Sequence, residues 1–163
     1  MSKALELSKK YKTLLNNYGI NTPLRLAMFF AQTDHESGGF KYTKELGNDA
    51  YFKKYEGREN LGNTKKGDGL RFKGRGFIQV TGRYNYTLIS KDTRIDYLNN
   101  PQWLEREPDA MISALWYWQK KKLNTYADSK DVKGATKVIN GGYNGLKERE
   151  KLYCEYLKLF SLT

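Results

Sequence analysis

The sequence predicts a mainly helical domain, and three observations lead to that prediction. Apolar residues recur every three or four positions in several segments, which is the spacing of an amphipathic helix. Threonine, proline and glycine stand at the ends of these segments, where helices begin and stop. Alternation of apolar and polar residues, which would indicate strands, is scarce. We therefore expect about five to seven helices and little strand.

Two helices are expected in the first part of the chain. The first ends at Gly19 and carries on one face Ala4, Leu7, Tyr11, Leu14, Leu15 and Tyr18. The second begins at Thr22-Pro23, an N-cap followed by proline at the first helical position, and stops before Gly38-Gly39. Glu36 is thus predicted to lie in the last turn of the second helix.

Residues 41–80 lack helical periodicity and are rich in glycine. The glycines stand at positions 47, 57, 62, 67, 69, 74 and 76. The interleaved aromatic residues favour an ordered segment over a disordered one, and they are Tyr42, Tyr51, Phe52, Tyr55, Phe72 and Phe77. We expect a loop that lines a substrate cleft, with a short hairpin centred on residues 70–73 and 77–80.

Helical spacing returns in the rest of the chain. A weak pattern follows Gly82, and a strong one starts at Pro108, where the apolar face consists of Met111, Ala114, Leu115 and Trp118. A short helix over residues 132–139 is expected to stop at Gly141-Gly142. The last helix carries Leu146, Tyr153, Leu157 and Phe160 on its buried side. Trp116, Tyr117 and Trp118 are assigned mainly to the core.

Length and composition limit the classes of function. A chain of 163 residues fits one domain, residues 1–163, without a separate wall-binding module. The net charge of +11 favours anionic partners. With Cys154 as the only cysteine and His35 as the only histidine, an internal disulfide and a Cys/His zinc site are excluded. No secretory or membrane-spanning apolar run is found, so we expect a soluble protein made in the cytoplasm.

Two carboxylates are candidates for acid–base chemistry. Glu36 lies where a helix gives way to two glycines, and Glu45 follows nine positions later. Two acids that flank a cleft are the minimal equipment for hydrolysing a glycosidic bond. Spacing alone leaves the second acid open among Glu45 and four competitors, which are Asp49, Glu56, Glu59 and Asp68.

Residues 74–86 are dense in hydrogen-bonding side chains. Gln79 and Thr81 are expected on one face of an extended run, with Tyr84 and Asn85 beyond Gly82. Sugar binding needs such groups. A dinucleotide-binding loop is excluded because position 79 lacks the third glycine, and residues 62–68 lack the ending of a P-loop.

Together these motifs resemble glycoside hydrolase family 19, the family of plant-type chitinases, and in particular its phage endolysins. The matching stretches stand in family order from about residue 22 onward, and they are His35-Glu36-Ser37-Gly38-Gly39-Phe40, Glu45-Leu46-Gly47-Asn48-Asp49-Ala50-Tyr51, Tyr55-Glu56-Gly57-Arg58, Leu61-Gly62-Asn63-Thr64, Gly67-Asp68-Gly69, residues 71–82, Ala114-Leu115-Trp116-Tyr117-Trp118 and Ile139-Asn140-Gly141-Gly142. Each stretch alone is common, but their ordered co-occurrence is specific.

The resemblance implies a lysozyme-like, two-lobed helical fold and a set of residue roles. Glu36 would be the general acid, and Glu45 the general base that activates water with help from the Thr81 hydroxyl, with inversion at the anomeric carbon. The candidates for substrate binding are Gln79, Tyr84, Asn85, Asn140 and His35. Arg149 and Arg75 are candidates for supporting roles. No cofactor and no metal are expected.

The chain departs from the plant members at two places. They carry an acidic residue shortly after Asn-Gly-Gly, where this chain has Tyr143-Asn144-Gly145, so the ion network around the acid must differ. Their second glutamate also lies further from the first. The assignment of Glu45 therefore depends on the similarity to endolysins, and Glu56 is the fallback base.

The sequence thus predicts an endolysin that hydrolyses β-1,4 bonds of bacterial peptidoglycan in the manner of an N-acetylmuramidase and releases phage progeny by lysis. We expect storage in the host cytoplasm and access to the periplasmic wall after a holin opens the membrane. We also expect a monomer that binds no nucleic acid and does not insert stably into membranes. Two alternatives stay open: a chitinase acting on β-1,4 N-acetylglucosamine polymers, and a non-catalytic cationic protein that binds cell wall or nucleic acid.

Overall fold

The computed structural model describes residues 2–163, and 64% of it is helical, which confirms the mainly helical fold class. In chain order the α-helices of this part are α1 (Lys3–Lys10), α2 (Lys12–Asn17), α3 (Pro23–Ser37), α4 (Asp49–Phe52), α5 (Asp68–Arg71), α6 (Arg83–Thr93), α7 (Glu107–Lys120), α8 (Asn124–Asp128), α9 (Val132–Asn140) and α10 (Leu146–Ser161). Short 3-10 turns cover Lys53–Tyr55, Glu59–Leu61 and Pro101–Glu105. The described residues contain more helices than expected because α2, α4, α5 and α8 are too short to show a periodic pattern.

The chain divides into two compact units. Unit 1 comprises the described residues up to Phe40 together with Tyr117–Thr163, and unit 2 comprises Lys41–Trp116. The second boundary falls within α7. None of the helices among residues 2–163 is long and apolar enough to span a bilayer.

In unit 1, α3 forms where the sequence predicted it. The Thr22 hydroxyl accepts a hydrogen bond from Arg25 N at 3.2 Å, so it caps the helix, and Pro23 occupies its first turn. Gly38 ends the helix in the left-handed conformation, at a φ of 60°. The last helix, α10, packs along α3. Their contact places Glu36 next to side chains that arrive from the far end of the chain.

Aromatic side chains fill the core of unit 1. The rings of Phe29 and Trp118 meet edge to face at 5.2 Å, and Phe30 lies 5.5 Å from Phe160. Trp118 is fully buried, as predicted, and Trp116 of unit 2 is also buried. The expected single first helix is wrong, since Tyr11, at φ −107° and ψ 25°, separates α1 from α2.

Unit 2 is made of short helices and turns. The predicted hairpin is wrong: positions 70 and 71 belong to α5, and residues 41–116 form only isolated antiparallel bridges, Lys44↔Arg75 and Arg75↔Val80. Arg75 N and Val80 N donate reciprocally to each other's carbonyl oxygens at 3.1 and 2.8 Å, which closes a tight turn. Gly76 begins that turn at a φ of 97°. Gln79 therefore lies in the turn and not in an extended run.

An ion pair stabilises unit 2, in which regular secondary structure is scarce. Arg83, in the first turn of α6, binds the carboxylate of Asp68 through two hydrogen bonds of 2.8 Å. Asp68 is 1% exposed, and Arg83 holds its pKa below its usual range. Phe72 and Tyr86 pack together beside this pair, with ring centroids 5.0 Å apart. The charged pair thus joins α5 to α6.

Candidate active site

Glu36 occupies the last turn of α3, two positions before Gly38. Its side chain is 25% exposed, and Oε1 accepts a hydrogen bond from Arg149 Nη2 at 2.5 Å. A carboxylate at this end of a helix faces the negative pole of the helix dipole, which is unfavourable without a partner. Arg149, 113 positions away in the sequence, supplies that partner.

Arg149 itself is buried, and every nitrogen of its guanidinium group is bonded. Nη1 donates to Gln32 Oε1 at 2.5 Å, and Nε donates to the carbonyl oxygen of Asn144 at 3.1 Å. The Gln32 amide donates in turn to Thr136 Oγ1 at 3.1 Å. Arg149 is 1% exposed, while Gln32 and Thr136 are fully buried. This network joins α3, α9 and α10 and fixes the direction in which Arg149 points.

The segment between α9 and α10 lies against the residue that precedes the acid. Gly145 adopts a φ of 74°, and a Cβ atom there would lie 2.3 Å from the imidazole ring of His35. Only glycine allows this approach. Glu148 Oε2 lies 3.1 Å from the buried His35 Nδ1, although the two atoms are not aligned for a hydrogen bond. Asn140, exposed at the end of α9, accepts a hydrogen bond from Asn144 N at 3.2 Å.

Tyr117 lies close enough to Glu36 for the charge of that carboxylate to affect its pKa. Its hydroxyl donates to the Val138 carbonyl oxygen at 3.3 Å. Burial raises the pKa of Tyr117 to about 12, and the nearby charge of Glu36 adds to the rise. The hydroxyl therefore keeps its proton throughout the neutral range.

Glu45, in unit 2, is held by neutral donors. Oε1 accepts hydrogen bonds from the hydroxyls of Tyr55 at 2.8 Å and Tyr51 at 3.2 Å, and Oε2 accepts one from Gly74 N at 3.3 Å. The Glu45 backbone N also donates to the Gly74 carbonyl oxygen, at 2.8 Å. Lys54 Nζ lies 3.8 Å from Oε1, and the Glu45 side chain is 14% exposed. These contacts orient a carboxylate that has several donors and one nearby cation.

The two groups that surround Glu45 have shifted acidities. Burial raises the pKa of Tyr55 to about 12, and its hydrogen bond to Glu45 contributes to the rise. The pKa of Lys54 is raised by its contact with the Tyr51 hydroxyl and by the nearby charge of Glu45. Near neutral pH, Tyr55 therefore remains a hydrogen-bond donor and Lys54 remains a cation.

The competitors of Glu45 have other contacts. Glu56 accepts hydrogen bonds from Gly67 N at 3.0 Å and Gly69 N at 3.1 Å, so its two oxygens hold the start of α5. Asp68 is paired with Arg83. Asp49 and Glu59 are exposed in the first turns of α4 and of a 3-10 turn.

The predicted sugar-binding residues of unit 2 lie in one short stretch. Gln79 is exposed in the turn, and Tyr84, in the first turn of α6, is 60% exposed. Asn85 donates to the Thr81 carbonyl oxygen at 3.0 Å, and both residues are half-buried. Their roles, including that of the Thr81 hydroxyl, stay predictions.

Arg75 is buried within unit 2. Its Nε donates to Glu105 at 2.9 Å, and its Nη1 donates to the Arg71 carbonyl oxygen at 2.8 Å and to the Tyr86 hydroxyl at 3.0 Å. These contacts hold the turn that precedes Gln79 against α5 and α6. These hydrogen bonds all join residues of unit 2, and the supporting role predicted for Arg75 stays a prediction.

Sequence reasoning missed Tyr51 and Tyr55, which donate to Glu45, and Gln32, which accepts from Arg149, the partner of Glu36. Gln32 stands one helical turn before Glu36, so the spacing of four positions offered a signal. Tyr51 and Tyr55 were noted only as aromatic residues that favour order. Among residues 2–163, no group of three or more His, Cys, Asp or Glu side chains is arranged to hold a metal ion.

Comparisons with known proteins agree on the family. The sequence model of glycosyl hydrolase family 19, described as chitinase class I, matches residues 21–143. A Haemophilus influenzae protein described as a glycosyl hydrolase family 19 domain-containing protein is 36% identical over 164 residues, which cover 83% of this chain and 80% of that protein. An Arabidopsis thaliana endochitinase is 31% identical over 146 residues, which cover 85% of this chain and 48% of that protein. The chain thus spans about half the length of this plant relative.

Solved structures share the fold. Chitinase C from Streptomyces griseus superposes with a TM-score of 0.73 at 24% identity, covering 90% of this chain and 66% of that one. A class IV chitinase from Zea mays gives a TM-score of 0.64 at 24% identity, covering 83% and 69%. These likenesses confirm the lysozyme-like helical fold. The chain belongs to glycoside hydrolase family 19 and is a glycoside hydrolase, an enzyme of the class that cleaves β-1,4 glycosidic bonds.

Proposed function

We propose that this enzyme is a peptidoglycan hydrolase of the endolysin type, which cleaves β-1,4 bonds between amino sugars with inversion. The observation that carries the catalytic part of the proposal is the hydrogen bond between Glu36 and the buried Arg149. A charged partner that is itself locked by Gln32 and Asn144 orients the carboxyl group without occupying both of its oxygens.

Glu36 is assigned as the general acid. Arg149 engages Oε1, so Oε2 is the oxygen that carries the proton to the leaving glycosidic oxygen. General acid catalysis by a positioned carboxyl group typically contributes about 10²–10⁴-fold to the rate. Arg149 then stabilises the carboxylate that forms when the proton has left.

Glu45 is assigned as the general base. Hydrogen bonds to the ionised form of a carboxylate stabilise that form, and Tyr51, Tyr55 and Gly74 N donate three of them. The base takes a proton from the attacking water, and the Thr81 hydroxyl helps to hold that water. Because an inverting enzyme forms no covalent intermediate, the first product has the opposite anomeric configuration to the substrate.

The charge of the chain supports peptidoglycan as the substrate. The formal net charge is +11, and the stem peptides of peptidoglycan carry carboxylates, whereas chitin is uncharged. An endolysin would act on the periplasmic wall as a monomer once a holin had opened the membrane.

The named relatives favour a second candidate function, since the curated plant matches include endochitinases. Chitin cleavage is therefore the competing hypothesis.

Parallel digestion separates these functions. Purified protein is incubated with bacterial peptidoglycan and with chitin hexamers, and mass spectrometry identifies the sugar at each new reducing end. We expect cleavage of peptidoglycan with muramic acid at the new reducing ends, and α-anomers as first products by NMR. Cleavage of chitin hexamers alone would assign the enzyme as a chitinase instead.

The Glu36→Gln variant tests the mechanism in the same assay. We expect its rate to fall by about 10²–10⁴-fold. The matched control is Glu148→Gln, which removes an exposed carboxylate beside His35 and should keep most of the activity. Lysis by Glu36→Gln at the wild-type rate would exclude Glu36 as the general acid. Lysis that survived the loss of Glu36 and Glu45 together and weakened steeply with salt would favour a non-catalytic cationic protein.

A further inference from the structure

An exposed cationic and aromatic patch lies at the end of α9. Lys133 and Lys137, one turn apart on this helix, place their ammonium groups 5.1 and 5.3 Å from the centre of the Tyr143 ring. The ring is 49% exposed, and both lysines are exposed. Lys137 Nζ also donates to the Gly141 carbonyl oxygen at 2.8 Å. We call these three side chains the α9 patch.

The contacts within the α9 patch position its charges but leave them unneutralised. Cation–π contacts attract both ammonium groups to the Tyr143 ring and oppose the repulsion between two like charges four positions apart on a helix. Among the described residues, neither lysine forms an ion pair, whereas Lys54, which also lies over a tyrosine ring, has Glu45 within 3.8 Å. The α9 patch therefore presents two positive charges to solvent on either side of an apolar ring.

A chain of contacts links the α9 patch to the catalytic acid. Tyr143 adjoins Asn144, whose carbonyl oxygen accepts the hydrogen bond from Arg149 Nε, and Arg149 binds Glu36. Asn144 N donates to Asn140 at the end of α9. All these residues belong to unit 1. The segment between α9 and α10 thus connects the α9 patch to the pair of Arg149 and Glu36.

We propose that the α9 patch is a subsite for the carboxylates of the peptidoglycan stem peptide. The ammonium groups would pair with a carboxylate, and the Tyr143 ring would contact the apolar part of the peptide or the face of a sugar. This inference rests on the proposed function and adds to it a reason for preferring a charged glycan to neutral chitin. The α9 patch takes no part in the chemical step, so it should act on KM and not on kcat.

The test compares two double variants with the same loss of charge. Lys133→Gln/Lys137→Gln removes the α9 patch, and Lys9→Gln/Lys10→Gln removes two lysines of α1 as the control. The substrates are glycan chains with stem peptides, the same chains after an amidase has removed the peptides, and chitin hexamers. Thermal unfolding verifies that both variants are folded.

For glycan with stem peptides, we expect the α9 variant to raise KM by roughly 3- to 30-fold, the effect of two partly exposed ion pairs. Its kcat should stay within about twofold, and the control should keep the wild-type KM. Lys133→Arg/Lys137→Arg should restore the KM, because the charge is kept. Cleavage of the peptide-free chains and of chitin should not change.

Three outcomes would overturn the inference, and the first two of them leave the proposed function standing. If wild type cleaves peptidoglycan and both double variants show the same KM, the α9 patch is not a subsite although the function stands. An equal rise in KM on peptide-free chains would show that the α9 patch contacts the glycan itself and not the stem peptide. If wild type does not cleave peptidoglycan at all, the proposed function fails first.

Discussion

Glu36 and Glu45 are held by different chemistry. In unit 1, Glu36 sits on a helix of 15 residues and depends on a buried guanidinium group 113 positions away. In unit 2, Glu45 lies outside the helices and depends on hydroxyls six and ten positions away and on a backbone N–H. The difference teaches that helix packing can bring a charged partner to a carboxylate from the far end of the chain, as Arg149 is brought to Glu36, whereas Glu45 is held mainly by neutral donors of its own unit.

The largest expected effect tests the charged support in unit 1. Arg149→Met should lower the free energy of unfolding by about 3 kcal/mol, because it leaves Glu36 and the buried Gln32 carbonyl oxygen without their donor. Urea unfolding at pH 7 measures this loss. Activity should fall as well, since the carboxyl group loses its orientation.

The exposed pair of Arg25 with Asp128 is the matched control for that experiment. Arg25 donates hydrogen bonds of 2.8 and 2.7 Å to both oxygens of Asp128, but the side chains of this pair are 28% and 48% exposed. Arg25→Met should therefore lower the free energy of unfolding by less than about 1 kcal/mol. Equal losses in the two variants would contradict the view that burial makes the Arg149 contact strong.

The sequence predicted unit 1 better than unit 2 because long helices carry their own signals. Thr22-Pro23 and Gly38 mark the ends of α3, and Gly141 marks the end of α9. In unit 2, α5 has four residues, and long-range contacts hold it: Glu56 caps its start, and Arg83 binds Asp68. Such contacts leave no periodic pattern.

The same contrast applies to the candidate site. Glu36 could be located from the helix end alone, but its partner Arg149 was found only through the resemblance to a family. Spacing could not reveal a contact that joins α3 to α10, since it depends on how the helices pack. The two tyrosines around Glu45 were visible as aromatic residues, but the direction of their hydroxyls depends on the turn geometry of unit 2.

An intermediate effect with a pH dependence is expected in unit 2. Arg83→Met should lower the free energy of unfolding by about 2 kcal/mol at pH 7, because Asp68 loses two charge-assisted hydrogen bonds. Arg83 holds the pKa of Asp68 below its ordinary value of 3.8, so this stabilisation is complete above that pH and is lost as the pH falls through the lowered value. The free energies of unfolding of wild type and Arg83→Met should therefore converge at acidic pH.

Urea unfolding at pH 7, 5 and 3 measures the convergence. Arg71→Met is the control, because Arg71 donates to the carbonyl oxygens of Leu98 and Asn99 and to no carboxylate in these contacts. The loss of unfolding free energy in Arg71→Met should not vary with pH in the same way. A difference between wild type and Arg83→Met that stayed constant down to pH 3 would show that packing, and not the ion pair, joins α5 to α6.

The smallest effect distinguishes the two candidate bases of unit 2. Glu56→Gln keeps one acceptor for the N–H groups of Gly67 and Gly69 and loses the other, so unfolding should become easier by roughly 0.5–1 kcal/mol. Its kcat should fall less than about tenfold, while Glu45→Gln should lower kcat by about 10²–10⁴-fold. Steady-state rates on the preferred glycan give both numbers. If the two losses were exchanged, the base would be Glu56, and the tyrosine hydroxyls around Glu45 would serve the fold of unit 2 and not the reaction.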